Sequence, residues 1–138
     1  MATLNPYLAF DGDCRKAMEF YKECLGGELR FMKVSESPMG SQVPPEARDK
    51  IMHASLESGA ITIMASDNLQ SGALKHGDDL SLMLYCTTEK EIHELFPKLS
   101  AGGKIGSALK EEFWGAIYGD FVDKFGVRWM MNFDKPKA

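Results

Sequence analysis

Cysteine is scarce in this chain of 138 residues, which holds only Cys14, Cys24 and Cys86. Their number is odd and no two of them are spaced as CxxC, so the pattern disfavours the disulfide framework of a small secreted protein. The first residues also lack the charged and apolar segments of a signal peptide. We therefore expect a cytoplasmic protein whose thiols are reduced and serve in packing.

Long apolar runs and an excess of positive charge are absent as well. No stretch approaches the length of a membrane span, and the net charge is −4 with no basic stripe interleaved with aromatic residues. The chain also lacks GxSxG, a P-loop, HExxH and a glycine-rich dinucleotide loop after a strand. We expect no membrane partner, no nucleic acid partner and no cofactor.

The first half of the chain contains a strand, a helix and three further strands. A strand ends at Phe10, and apolar residues at helical spacing follow Asp13, which we expect to cap a helix that runs to Leu25. Gly26–Gly27 stops this helix, because glycine adopts the left-handed C-terminal conformation freely. Strands are then predicted at 28–34, 51–57 and 60–66, with Ser58–Gly59 as a two-residue hairpin turn between the last two.

The second half repeats this order. A strand at 80–86 precedes a helix that begins with a capping box of Thr88 and Glu91 and ends before Gly102–Gly103. Strands are predicted at 104–109, 116–122 and 127–133. The succession predicts an α+β fold of two tandem βαβββ modules within one domain. Module one is placed at about 1–67, a linker at 68–79 and module two at 80–138.

Short motifs along nearly the whole chain, in order, resemble those of one protein family. They are Leu4–Gly12, Ala17–Tyr21, Gly26–Leu29, Met52–Leu56, Met64–Asp67, Trp114–Gly115, Tyr118–Asp120 and Asp123–Trp129. Together they resemble the PhnB-like branch of the vicinal oxygen chelate superfamily, which includes glyoxalases, bleomycin resistance proteins and dioxygenases. The resemblance implies a curved mixed sheet around a cleft, helices on the convex side, and a homodimer. Because the superfamily holds both enzymes and metal-free drug binders, the fold alone selects no activity.

Many enzymes of that superfamily hold one divalent metal through side chains on the first and last strands of each module. The resemblance places these positions at Pro6, Met64, Ser81 and Met130. Proline has no donor atom, thioethers are soft ligands, and a lone serine is a poor one. We therefore predict that the usual metal site is absent.

Strand alternation predicts which side chains line the cleft. With Ser58–Gly59 as the turn, His53 pairs with Met64 and Ser55 with Thr62, and directly opposite residues share a face. On the last strand, every second residue from Trp129 points to the helices. The predicted lining is His53, Ser55, Thr62, Met64, Ser66, Arg128, Met130 and Asn132, with Trp114 as a candidate at the rim.

His53 is the first candidate for acid–base chemistry, because an imidazole exchanges protons near neutral pH. The alternative is a hydrogen-bonded sheet histidine without chemistry. Tyr118 and Asp120 are further catalytic candidates, but the register of the hairpin at 116–133 leaves their facing open. The sequence thus predicts a metal-free homodimer that binds a small organic molecule. A lyase or isomerase that uses His53 and a drug-sequestering resistance protein are the alternative functions.

Overall fold

A computed structural model of the chain describes residues 2–38, 40–68 and 73–136, so residues 69–72 of the predicted linker lie outside the described residues. The elements follow in the order βαβββ–βαβββ, which confirms the predicted α+β class. The chain divides into two compact units, 1–75 and 76–138, with one βαβββ module in each. No helix within the described ranges is both long and apolar enough to cross a membrane.

The bounds of the elements differ from the predicted ones by a few residues at most. The first unit holds β1 (Tyr7–Phe10), α1 (Cys14–Leu25), β2 (Glu28–Lys33), β3 (Ile51–Ser58) and β4 (Ile61–Asp67), with short 3-10 helices at Val34–Glu36 and Pro45–Ala47 in the predicted loop. The second unit holds β5 (Leu82–Tyr85), α2 (Glu89–Ser100), β6 (Lys104–Glu111), β7 (Ala116–Val122) and β8 (Arg128–Asp134).

The sheet of the first unit has the strand order β1-β4-β3-β2, with β1 and β4 parallel and the other neighbours antiparallel. α1 packs on one face of this sheet against β2, β3 and β4. Most of the residues that recur at helical spacing on α1 are buried, as are alternate residues of the central strands. This core includes Cys14, Ala17, Met18, Tyr21, Ala54, Leu56, Ile63 and Ala65.

The hydrogen bonds at the N-terminus of α1 differ from the predicted ones. Asp13 precedes the helix, but its side chain makes no capping hydrogen bond. The buried carboxylate of Asp67 instead accepts hydrogen bonds from the backbone N–H of Cys14 at 3.0 Å and of Ile51 at 2.8 Å. One side chain at the end of β4 therefore fixes the beginnings of α1 and β3.

The predicted turn between β3 and β4 is wrong by one residue. The strands reverse at Gly59–Ala60, because Gly59 takes φ +58° and glycine is the residue favoured where a hairpin turn needs a positive φ. Ser55 therefore lies opposite Met64, a place that the prediction gave to His53. The register has moved by two residues, so each side chain stays on its predicted face.

The second unit repeats the arrangement with the strand order β5-β8-β7-β6, in which only β5 and β8 are parallel. The predicted capping box of α2 is confirmed: Thr88 Oγ1 accepts a hydrogen bond from the Glu91 N–H at 3.1 Å. The Glu91 carboxylate accepts one from the Thr87 N–H at 2.8 Å, one residue before the expected donor. The buried core includes Ile92, Phe96, Leu99, Phe121, Trp129, Met131 and Phe133.

Candidate functional site

A cavity of about 420 Å³ lies in the second unit. Its lining comes from the strands β6, β7 and β8 and from the residue just before β5. The lining residues are Ser81, Lys104, Ile105, Gly106, Tyr118, Asp120, Phe121, Val122, Arg128, Trp129 and Met130.

The register of β7 and β8 decides which side chains point away from α2. Asp120 lies opposite Met130 and Val122 opposite Arg128, so these four side chains share one face. The other face is the core side, where the Phe96 ring of α2 packs edge-on against Phe121 with ring centroids 5.2 Å apart. The facing of Tyr118 and Asp120, which the sequence left open, is therefore the side away from α2.

The turn between β7 and β8 is fixed by the buried carboxylate of Asp123. It accepts hydrogen bonds from the backbone N–H groups of Phe125 at 2.8 Å and Val127 at 3.0 Å. It also accepts one from the indole Nε1 of Trp129 at 2.9 Å. This carboxylate thereby holds the register that brings Arg128 into the lining.

Asp120 is the anchored anionic group of the cavity. One carboxylate oxygen accepts a hydrogen bond from the Ser107 N–H at 2.9 Å, and the other accepts one from the Tyr118 hydroxyl at 2.9 Å. A side chain at position 106 would collide with the first of these oxygens, so Gly106 allows the carboxylate to approach the backbone of β6. The pairing of β6 with β7 is irregular between Ile105 and Ser107, where this approach occurs.

The phenol of Tyr118 has a raised pKa. Burial raises the pKa of the phenol to about 12, and the hydrogen bond to Asp120 acts in the same direction. At neutral pH the phenol is therefore a hydrogen-bond donor and not a base. Of the three acid–base candidates from the sequence, Tyr118 and Asp120 are in contact in this cavity, while His53 lies in the first unit.

Arg128 is the cation of the lining whose side chain has a buried donor without an acceptor among the described residues. Its Nε is buried and makes no hydrogen bond to the described part of the chain. The guanidinium also forms no ion pair with any described carboxylate, including Asp120, which lines the same cavity. A buried donor without an acceptor is rare in native proteins and needs an explanation.

The predicted lining residues of the first unit share the sheet face that points away from α1. They are His53, Ser55, Thr62, Met64 and Ser66, all of them half-buried. The hydroxyl of Tyr7, which lies beside Met64 on the neighbouring strand, is 3.3 Å from the Nδ1 of His53. The sequence reasoning missed Tyr7 as a neighbour of His53, because the pairing of β1 with β4 joins residues that are far apart in the chain.

Two predicted lining residues of the second unit do not line this cavity. Trp114 lies in the turn between β6 and β7, more than half exposed, with its ring edge-on to Phe113 at a centroid distance of 5.0 Å. Asn132 has the facing predicted for it but is buried, and its amide donates a hydrogen bond to Asp134 at 2.9 Å. Lys104, Ile105 and Gly106 line the cavity although no local pattern marked them.

The positions that the resemblance assigns to a metal do not fit a hard divalent ion. Ser81 and Met130 line the cavity of the second unit and offer one hydroxyl and one thioether. In the first unit the Met64 N–H donates a hydrogen bond to the Pro6 carbonyl at 3.1 Å, and neither side chain supplies an imidazole or a carboxylate. Within residues 2–38, 40–68 and 73–136, no three His, Cys, Asp or Glu side chains are grouped closely enough to hold a metal.

Among the described residues, no cysteine lines the cavity, and Cys14, Cys24 and Cys86 form no disulfide. Burial raises the pKa of Cys14 to about 12 and that of Cys86 to about 11, so both remain protonated at neutral pH.

Comparison with known proteins agrees with this architecture. The model of the Glyoxalase/Bleomycin resistance protein/Dioxygenase superfamily matches residues 3–131. Protein YjdN of Escherichia coli is 36% identical over 142 residues, covering 94% of this chain and 93% of YjdN. The structure of protein PA1353 from Pseudomonas aeruginosa is 36% identical with a TM-score of 0.87, covering 99% of this chain and 100% of that one. A PhnB protein from Bacillus cereus, 24% identical with a TM-score of 0.77 and coverages of 96% and 99%, shares the fold. The predicted resemblance is thereby confirmed, and the chain belongs to the glyoxalase, bleomycin resistance protein and dioxygenase superfamily.

Proposed function

We propose that the protein binds a small organic molecule in the cavity of its second unit, without the divalent metal of many superfamily enzymes. The observation that supports this is the cavity itself, whose volume of about 420 Å³ is that of a small-molecule site. Its lining combines the apolar side chains of Met130 and Ile105 with a few polar groups, namely Tyr118, Asp120 and Arg128. Such a combination suits an organic molecule that carries one or two polar substituents.

Filling the cavity tests this proposal. Met130→Trp places a large ring in the lining, and Met64→Trp is the matched control because Met64 holds the same position on the last strand of the first unit. In a ligand-observed NMR screen of soluble organic fragments, those that bind the wild type should lose binding to Met130→Trp and keep it with Met64→Trp. Equal binding to both variants, or a library without any binder, would contradict a ligand site in this cavity.

The metal-free part of the proposal has its own measurement. The purified protein should carry far less than one equivalent of metal by elemental analysis after mild dialysis. Zn²⁺, Ni²⁺ and Mn²⁺ should leave the unfolding temperature unchanged, because a ligand stabilises the native state only when it binds that state more tightly than the unfolded chain. One retained equivalent of metal would show that the donors at Ser81 and Met130 have been misjudged.

We propose further that the protein is a cytoplasmic homodimer. Three cysteines that form no disulfide are consistent with a reducing compartment. Each sheet ends in two edge strands, and several apolar side chains on them are exposed, which favours a symmetric partner.

A further inference from the structure

The charges around the cavity leave an excess cation. Lys104 and Arg128 bring two positive charges, Asp120 brings one negative charge, and Tyr118 is neutral while its phenol is protonated. Asp120 already accepts hydrogen bonds from Tyr118 and Ser107, so its charge is partly compensated and its position is fixed. Neither cation forms an ion pair with a described carboxylate, but Lys104 is exposed to solvent, whereas Arg128 has a buried Nε without an acceptor among the described residues.

We propose that Arg128 binds the carboxylate of a small organic acid, which is the ligand of this cavity. This inference rests on the proposed function and assigns the ligand's charged group. A guanidinium is a planar fork of N–H donors that matches the two oxygens of a carboxylate. A carboxylate bound side-on to the guanidinium supplies the acceptor that the buried Nε of Arg128 lacks among the described residues.

The neighbours of Arg128 favour an organic body over a simple inorganic anion. Met130 lies two residues along β8 on the same face, directly opposite Asp120. Its thioether and the side chain of Ile105 give the lining apolar surface beside the guanidinium. The Asp120 carboxylate repels a second anion, so the acidic end of the ligand is directed to Arg128 and the remainder lies against Met130.

The first unit shows that the fold does not require a cation at this place. Met64 and Met130 each lie on the last strand of a module, between its first strand and the strand before it, and the resemblance assigns both to the same position. Ser55 lies opposite Met64, and Asp120 lies opposite Met130. Two residues before Met64 is Thr62, and two residues before Met130 is Arg128. A βαβββ module is thus built with a threonine at this position, and the arginine of the second unit calls for an explanation beyond the architecture.

Benzoate, benzamide and inorganic phosphate are the probes that test the inference. Benzamide has nearly the shape of benzoate without its charge, and phosphate has charge without an apolar body. In titrations of the 15N-labelled full chain, benzoate should shift the amide signals of cavity residues and bind about tenfold more tightly than benzamide, as a charge-assisted hydrogen bond requires. Phosphate should bind far more weakly than benzoate.

Three arginine variants locate the effect. Arg128→Gln should abolish the preference for benzoate, and Arg128→Lys should keep only part of it, because lysine preserves the charge but not the fork. Arg30→Gln is the matched control, since it removes the same charge from an exposed arginine that pairs with Glu28 at 3.3 Å. This control should bind benzoate as the wild type does.

The possible results separate this inference from the proposed function. If Arg128→Gln keeps the preference, if Arg30→Gln loses it equally, or if benzamide binds as well as benzoate, the inference is overturned while ligand binding in the cavity stands. Phosphate binding as tight as that of benzoate overturns the organic acid as the ligand class. If benzoate does not bind while other fragments are displaced by Met130→Trp, the inference alone fails; if no fragment binds either, both proposals fail.

Discussion

His53 is half-buried on the face of the first sheet that points away from α1, and its Nδ1 lies 3.3 Å from the hydroxyl of Tyr7. His53→Ala should therefore remove little packing and lower the free energy of unfolding by about 1 kcal/mol or less. Asp67→Ala should cost roughly 2 kcal/mol or more, because the buried N–H groups of Cys14 and Ile51 lose their acceptor. Urea unfolding of both variants gives the comparison. A loss for His53→Ala as large as that for Asp67→Ala would mean that the imidazole is part of the core.

The same two residues show what could be predicted at this scale. The face of His53 followed from strand alternation, and it was correct although the pairing was wrong, because a shift of two residues preserves the face. The role of Asp67 could not be predicted, since it depends on the meeting of three chain segments that are distant in sequence. The same holds for the contact of Asp120 with Ser107, which requires the irregular pairing of β6.

The two helices begin in different ways, and this difference can be measured. Thr88 caps α2 with its side chain, whereas Asp13 makes no such bond at α1. Thr88→Ala should lower the free energy of unfolding by about 1 kcal/mol, the usual cost of losing an N-cap. Asp13→Ala should change it by less than about 0.5 kcal/mol, as surface substitutions generally do. Chemical unfolding followed by circular dichroism measures both, and a larger loss for Asp13→Ala would restore it as the cap of α1.

At the scale of elements, local signals in the sequence were sufficient to predict the order of the helices and strands and the type of each. Glycine pairs, a capping box and alternating apolar residues lie within a few positions of the structure they specify, so both modules could be predicted. The two modules differ in the side chains that stand at equivalent positions, and these positions are known only once the register of the strands is known. Ser55 corresponds to Asp120 and Thr62 to Arg128, since each pair stands in the same relation to Met64 or Met130. Only the second module carries a carboxylate and a guanidinium at these positions, and this is where the cavity of about 420 Å³ lies.

For the whole molecule, membership of the superfamily and a specific activity are separate questions. The family match over residues 3–131 establishes the architecture. The match does not by itself establish metal chemistry, because the positions that the resemblance assigns to the ligands hold Pro6, Met64, Ser81 and Met130 in this chain. One fold supports several chemistries through the side chains placed on it. The proposed function is therefore argued from the side chains of the cavity, among them Tyr118, Asp120 and Arg128.

The oligomeric state is the property of the whole molecule that the strand edges allow us to predict. β1 and β2 are the edges of one sheet, and β5 and β6 are those of the other. Exposed strand edges with apolar side chains associate readily. Tyr85 on β5 is 63% exposed and Ile105 on β6 is 49% exposed, while Phe113 in the turn after β6 is 96% exposed.

A symmetric dimer is the commonest assembly that covers such surfaces without forming open chains. Sedimentation equilibrium at micromolar concentration should therefore give a mass near twice the 15.3 kDa of one chain. Dilution far below this range should shift the mass towards 15.3 kDa, because the dimer fraction depends on protomer concentration. A mass of 15.3 kDa across the whole micromolar range would show that the exposed edges stay uncovered, and the dimer would have to be abandoned.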